Sequence, residues 1–190
     1  MSDGLRRAEA LLNNFELKIA ADYGSTEGRH PSDVGQEIAD APEAVENPIV
    51  EAGELFYEGR GNAHSFADDE ELDEAEKSFE KAFDRYEQAL ESHLDYNSTG
   101  DLVDVDLVIE QALGGSIEEE AVVEAAGLQP FVVDDLDSEQ MYVRRNMDDE
   151  DAYEFLEESG YDTESVVREN YLQGIRNARE SVEQGLAEIR

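Results

Sequence analysis

The chain has no cysteine, no tryptophan, four prolines and only three lysines in 190 residues. Without cysteine, structural disulfides and thiolate metal sites are excluded. No segment approaches the ~18 consecutive apolar residues of a membrane span, so no membrane association is expected. Met-Ser-Asp-Gly-Leu-Arg-Arg at the start leads into mixed polar sequence rather than an apolar run, so no signal peptide is expected either. Also missing are Gly-x-Ser-x-Gly, a Gly-Lys phosphate loop and Gly-x-Gly-x-x-Gly, the common marks of hydrolases, NTPases and dinucleotide enzymes. His30, His64 and His93 lie far apart, and the paired Glu-x-x-His motifs of a di-iron bundle are not present.

Positive charge is scarce in a particular way. The chain carries 50 acidic residues against 14 basic ones, a net charge of -36, and eleven of the basic residues are arginine. High charge with few apolar residues is one signature of disorder, but the regular apolar spacing described below argues against it. Carboxylates that imitate nucleic-acid phosphates are a second explanation, yet a mimic has no reason to avoid lysine. Adaptation to molar salt explains both features. Surface carboxylates hold hydrated cations without a specific site, and net charge keeps the chain dispersed where the Debye length is roughly 3 Å. A lysine stem suits that solvent poorly, whereas arginine still pairs through its planar fork. Diluting the salt from molar to ~0.1 M is therefore expected to cost helix or thermal stability, as followed by circular dichroism. Unchanged melting across that range would remove salt adaptation as the explanation.

Apolar residues recur with helical spacing along most of the chain. Leu5, Ala8, Leu12, Phe15 and Ile19 follow intervals of three and four and predict a first helix, capped by Ser2 or Asp3. Residues 24–47 mix proline, glycine and short capped fragments such as Ser32-Asp33-Val34, and predict a loop. Asn47-Pro48 has the form of a helix start, with Ile49, Ala52 and Phe56 on one face and a stop at Gly59. From about Asp69 to Leu94 the seam Leu72, Ala75, Phe79, Ala82, Tyr86, Ala89 and His93 predicts the strongest helix. Leu102, Val105, Ile109 and Leu113 form a further face, although Val103-Asp104-Val105 is also compatible with a strand. Ser116 with Glu119 makes a capping box for a short helix, Ile117 to Ala126. Phe131-Val132-Val133 and Met141-Tyr142-Val143 have the composition of two short strands. Asp149 to Glu158 is a short helix closed by Gly160. Finally, Val167, Tyr171, Ile175, Ala178, Val182, Leu186 and Ile189 mark a long last helix with a coiled-coil-like seam.

Charge is unevenly placed along these elements. Residues 1–30 carry five acids and four bases, and residues 161–190 carry six acids and four bases, so 33 of the 36 net charges fall between them. Near-neutral segments in an acidified chain are the ones expected to be covered, because buried unpaired carboxylates are costly. The two terminal helices are thus expected to pack either on each other or on a partner. Arg176 and Arg179, scarce cations beside the last seam, are expected to pair with neighbouring carboxylates.

Three motif outlines in the sequence lack the chemistry they would need. Asp101 to Arg145 resembles a winged helix in outline, but its second helix reads Ile-Glu-Glu-Glu-Ala-Val-Val-Glu and would repel DNA. Ala75, Phe79 and Ala82 fit one helix of a tetratricopeptide unit, yet no second copy follows at the spacing of about 34 residues. Asp135, Asp137 and Glu139 open like a calcium loop, but Gln140 and Asn146 stand where glycine and glutamate are needed.

The expected fold is mainly α: a helical bundle-like domain over residues 1–160 with loop 24–47, then a long C-terminal helix over 161–190. A small two-stranded β-hairpin at 131–143 is an optional addition. The expected function is non-enzymatic, a helical assembly or adaptor protein of an extreme halophile that contacts copies of itself or a larger complex. A virion head–tail connector component is one form of this. Protein partners, no cofactor, no direct nucleic-acid contact and a cytoplasmic location, or one inside a particle assembled there, follow from that reading. Val167, Tyr171, Ile175, Arg176, Ala178, Arg179, Val182, Leu186 and Ile189 are the candidate partner-contact residues. The alternatives are a halophilic enzyme or regulator without a recognisable motif, and an acidic nucleic-acid mimic.

Overall fold

A computed structural model of the chain describes residues 2–23, 41–113, 121–122, 124 and 146–190. These are mainly helical. Seven helices are found among them: α1 (Asp3–Ala21), α2 (Glu43–Asn62), α3 (Asp69–Tyr96), α4 (Thr99–Leu102), α5 (Val105–Leu113), α6 (Asp149–Glu158) and α7 (Thr163–Ala187). No strand occurs among the described residues, and the hairpin expected at 131–143 lies outside them, as do residues 24–40 of the expected loop. No helix among the described residues is long and apolar enough to cross a membrane. The chain divides into two compact units, Met1–Tyr96 with Tyr171–Arg190, and Asn97–Asn170.

In the first unit α1 and α3 begin where a side chain relieves their unpaired N–H groups, whereas α2 starts behind Pro42 without a side-chain cap. Ser2 Oγ accepts from the Leu5 amide at 3.3 Å. Asp68 and Glu71 form a reciprocal box at the head of α3, each side chain accepting from the other's amide at 2.9 Å. The seams meet in one core. Leu5, Ala8, Leu12, Phe15 and Ile19 of α1 are buried, as are Leu72, Ala75, Phe79, Ala82, Phe83, Tyr86, Ala89 and Leu90 of α3. Phe15 stacks edge-on against Tyr86 at 5.7 Å, and Phe56 of α2 lies 5.1 Å from Phe79.

Helix α2 corrects the sequence reading at both ends. It starts at Glu43 behind Pro42 rather than at Pro48, and continues past Gly59 to Asn62. The buried seam explains this, because Val45 opens a run continued by Ile49, Ala52, Phe56 and Gly59. Pro48 removes one hydrogen bond, to the carbonyl of Ala44. Ala44 itself is exposed, on the solvent side of the helix. Burial of Val45 outweighs the local start signal.

Glycine brings two helices unusually close. A Cβ on Gly4 would stand 2.5 Å from the Ser181 carbonyl oxygen and 2.5 Å from the Gly185 nitrogen. A Cβ on Gly185 would stand 2.8 Å from the Leu5 nitrogen. With Phe15 against Gly174 further along, α1 and α7 run antiparallel over a strip of small residues that includes Ala8, Ala178 and Ser181. Within the first unit, the described parts of the near-neutral terminal segments therefore cover one another.

The second unit is built on Leu102, Val103, Leu107, Val108, Ile109, Ala152, Leu156 and Val167, all buried. Val103-Asp104 is a break between α4 and α5, not a strand. Asp104 Oδ1 accepts from the Leu107 amide at 3.0 Å, so the acid caps α5 and the branched residues on either side follow it. The exposed face of the helix also shifts, since Val105 is only half-buried. Asp148 caps α6 through the Asp151 amide at 3.0 Å, and Gly160 ends it at φ 78°, as its place in the sequence requires. Ser165 donates to Asp162 from both its hydroxyl and its amide, which holds that carboxyl below the usual range at the head of α7.

Candidate functional site: the groove between α1 and α2

The residues singled out on α7 are mostly inside the chain. Val167, Tyr171, Ile175, Ala178, Val182 and Leu186 are buried, and Ile189 is half-buried. Arg179 pairs with Glu87 of α3 at 3.0 Å and lies 5.1 Å over the Phe83 ring, while Arg176 is exposed. At the helix end, Arg190 meets Glu76 at 2.9 Å and Asp73 at 3.6 Å. The scarce cations thus pair with carboxylates of their own unit.

A polar cluster closes the same unit where α1 and α3 end. His93 has no exposed surface, and its Nε2 lies 2.9 Å from Asp22 Oδ2. A carboxylate only accepts, so Nε2 carries a proton, while Nδ1 shares a hydrogen bond of 2.8 Å with the Tyr23 hydroxyl. Tyr171 of α7 donates to the same Asp22 oxygen at 2.5 Å. Lys18 sits 4.5 Å over the Tyr171 ring. Three helices are tied at one carboxylate, and the His93 ring is sealed from any substrate.

The open surface is elsewhere. On α2, Val50, Gly53 and Tyr57 follow a 3, 4 spacing beside the buried seam, and Val50 and Tyr57 are 52% and 64% exposed. With Leu12 of α1 and Ile49 and Phe56 behind, they line a groove of about 590 Å³ between α1 and α2. Gly53 meets nothing within 4 Å on the side where its Cβ would point. Glu46 and Glu54 flank the stripe on α2, and Glu9 and Glu16 face it from α1. Arg60 pairs with Glu9 and lays its guanidinium 5.1 Å from the Tyr57 ring centre.

Glu16 has the most unusual environment there. Its Oε1 accepts from the Tyr86 hydroxyl of α3 at 2.7 Å. Burial raises its pKa above the ordinary 4.5, and the Tyr86 hydrogen bond only partly opposes that. The Tyr86 phenol is in turn pushed up, first by burial and then by the Glu16 charge, so it stays a donor at any working pH. Below pH 4.5, Glu16 is protonated in the folded and unfolded chain alike. As pH rises past that value the unfolded chain releases the proton while the folded chain retains it, so stability falls until the folded pKa is passed. Glu16→Gln keeps an oxygen for Tyr86 and removes the charge. The variant is expected to melt higher than the parent at pH 7 in molar KCl, with the gap closing as pH falls toward 4.5. An equal gap at both pH values would show that the carboxylate is not held at a cost.

Sequence reasoning missed this groove. Its signal is a second apolar stripe on α2, one step round from the seam, but a helix starting at Pro48 presents Ile49, Ala52 and Phe56 as its one apolar face. Among the described residues no three of His, Cys, Asp and Glu gather as a metal site. The chain matches no family model, no curated protein and no solved structure.

Proposed function

We propose that the chain is a non-enzymatic helical adaptor of an extreme halophile, and that it docks a protein partner in the α1–α2 groove. A structural part of a virus particle assembled in such a cell, for example a head–tail connector component, is one setting for this role. The observation that carries the reading is the exposed Val50–Gly53–Tyr57 stripe. In a chain with net charge -36, large apolar side chains left in solvent beside a groove mark a contact surface. Gly53 supports this, because glycine in a helix interior costs about 1 kcal/mol relative to alanine and here keeps the groove open. The groove replaces the α7 seam as the partner surface, since the seam is covered by its own chain.

Val50→Asp and Tyr57→Asp change exposed positions and are expected to alter stability by no more than about 0.5 kcal/mol. A photo-crosslinker at Val50 is expected to give one defined protein adduct in molar KCl, lost in Tyr57→Asp. The same label at Phe66, an isolated side chain 94% exposed, is the control. Equal labelling from both positions would remove the groove as a specific surface.

A further inference from the structure

We infer that Glu16 anchors an arginine side chain carried by an amphipathic partner helix lying in the α1–α2 groove. The inference rests on the docking reading above and adds the chemistry of the occupant.

Glu16 is half-buried and, among the described residues, bonds to the Tyr86 hydroxyl and pairs with no cation. One carboxylate oxygen remains without a partner in that set, in a groove that joins apolar Leu12, Ile49, Val50 and Phe56 to the further carboxylates Glu9, Glu46 and Glu54. Such a group gains most from a cation that arrives already stripped of water. Its raised pKa is the expected mark of that unmet demand.

The rest of the groove favours a guanidinium. Tyr57 already stacks one, the Arg60 guanidinium, so its ring accepts that planar cation in this solvent. An ammonium competes poorly, being strongly hydrated and opposed by molar K⁺, and the chain's own usage of eleven arginines to three lysines follows the same rule. From Glu46 to Tyr57 the α2 wall runs for about 16 Å, or three helical turns, which suits a short helix with apolar anchors at i, i+3 and i+7. Charge also selects against self-docking. A second copy would bring Glu46 and Glu54 against the same acidic rim.

The test uses a blocked Ala/Leu helix of about 14 residues with one central arginine, and its citrulline counterpart, which has the same shape and no charge. Binding is measured in molar KCl at pH 8 with the parent chain, Glu16→Gln and Val50→Asp. The parent is expected to prefer arginine over citrulline about tenfold or more. Glu16→Gln is expected to bind the two peptides equally, and Val50→Asp neither. On binding, the arginine peptide is expected to lower the pH at which the Glu16 carboxyl titrates by NMR, against the surrounding Glu9, Glu46, Glu54, Tyr57 and Tyr86. A parent that does not distinguish the peptides, or a Glu16→Gln chain that still does, overturns the arginine anchor. The docking reading survives that result if Val50→Asp still abolishes binding, and fails with it if Val50→Asp binds normally or the parent binds neither peptide. Dimerisation of the parent in sedimentation, abolished by Val50→Asp, assigns the groove to a second copy and also overturns the inference.

Discussion

Gly4→Leu is expected to leave the chain largely unfolded, and Gly4→Ala is expected to lose about 1–3 kcal/mol. The usual sign for glycine within a helix is the opposite, because alanine gains up to about 1 kcal/mol in helix propensity. Space decides the outcome at Gly4. The added Cβ meets the Ser181 carbonyl oxygen at 2.5 Å and the Gly185 Cα at 2.7 Å, which are backbone atoms with no rotamer to change. Helices α1 and α7 must separate, and Leu5, Leu12 and Ile175 lose contact with them. Gly53→Ala is the matched comparison, since its Cβ meets nothing within 4 Å. It is expected to gain about 0.5–1 kcal/mol. Gly185→Ala adds a clash with Ser2 Oγ at 2.7 Å, the cap of α1, and is expected to be destabilising too. The double variant Gly4→Ala with Gly185→Ala is expected to lose less than the sum, because the first Cβ already parts the helices. Denaturant melts in molar KCl give all four values. If Gly4→Ala and Gly53→Ala shift stability by the same amount, the close approach of α1 and α7 is wrong.

That pair of glycines also shows how far the sequence can be read. Apolar spacing locates α1, α3, α6 and α7 because each carries one buried seam and a local cap, and those two signals agree. The sequence is compatible with burial of α7 either against α1 or against a partner. Spacing says which face is covered and not what covers it, and the near-neutral charge of both segments fits either. Gly4 and Gly185 carry the answer, yet glycine has no periodicity of its own and reads as a helix breaker until a facing backbone is known. In α2 the local and long-range signals disagree. Asn47-Pro48 looks like a start, but Val45 is worth more buried than the single bond that Pro48 removes. The groove was hidden for a related reason. Val50 and Tyr57 look like a widened seam, and only the position of α1 shows that they face solvent. Glu16 was one of 50 acids, and nothing local distinguishes it. Its neighbour Tyr86 is 70 residues away.

Asp22→Ala is expected to cost about 3 kcal/mol or more, a large share of the stability of an ordinary domain. Asp22 follows the last turn of α1, where a negative charge opposes the helix dipole and is locally unfavourable. A residue placed against its local preference is held there by tertiary contacts. Its Oδ2 accepts from His93 Nε2 on α3 and from the Tyr171 hydroxyl on α7, so alanine removes the acceptor used by two buried donors. Asp22→Asn separates hydrogen bonding from charge. One amide oxygen has two lone pairs and can accept both bonds, so this variant is expected to lose only about 1 kcal/mol. Tyr171→Phe, which deletes one donor and leaves the acceptor, is expected to cost about the same. Combined with Asp22→Ala it is expected to add little, since the bond it removes is already gone. Equal losses from Asp22→Asn and Asp22→Ala would mean that the charge, rather than the shared oxygen, holds the three helices. A neutral Asp22→Ala would mean that the apolar seams hold them alone, with His93 merely filling space between Tyr23 and Tyr171.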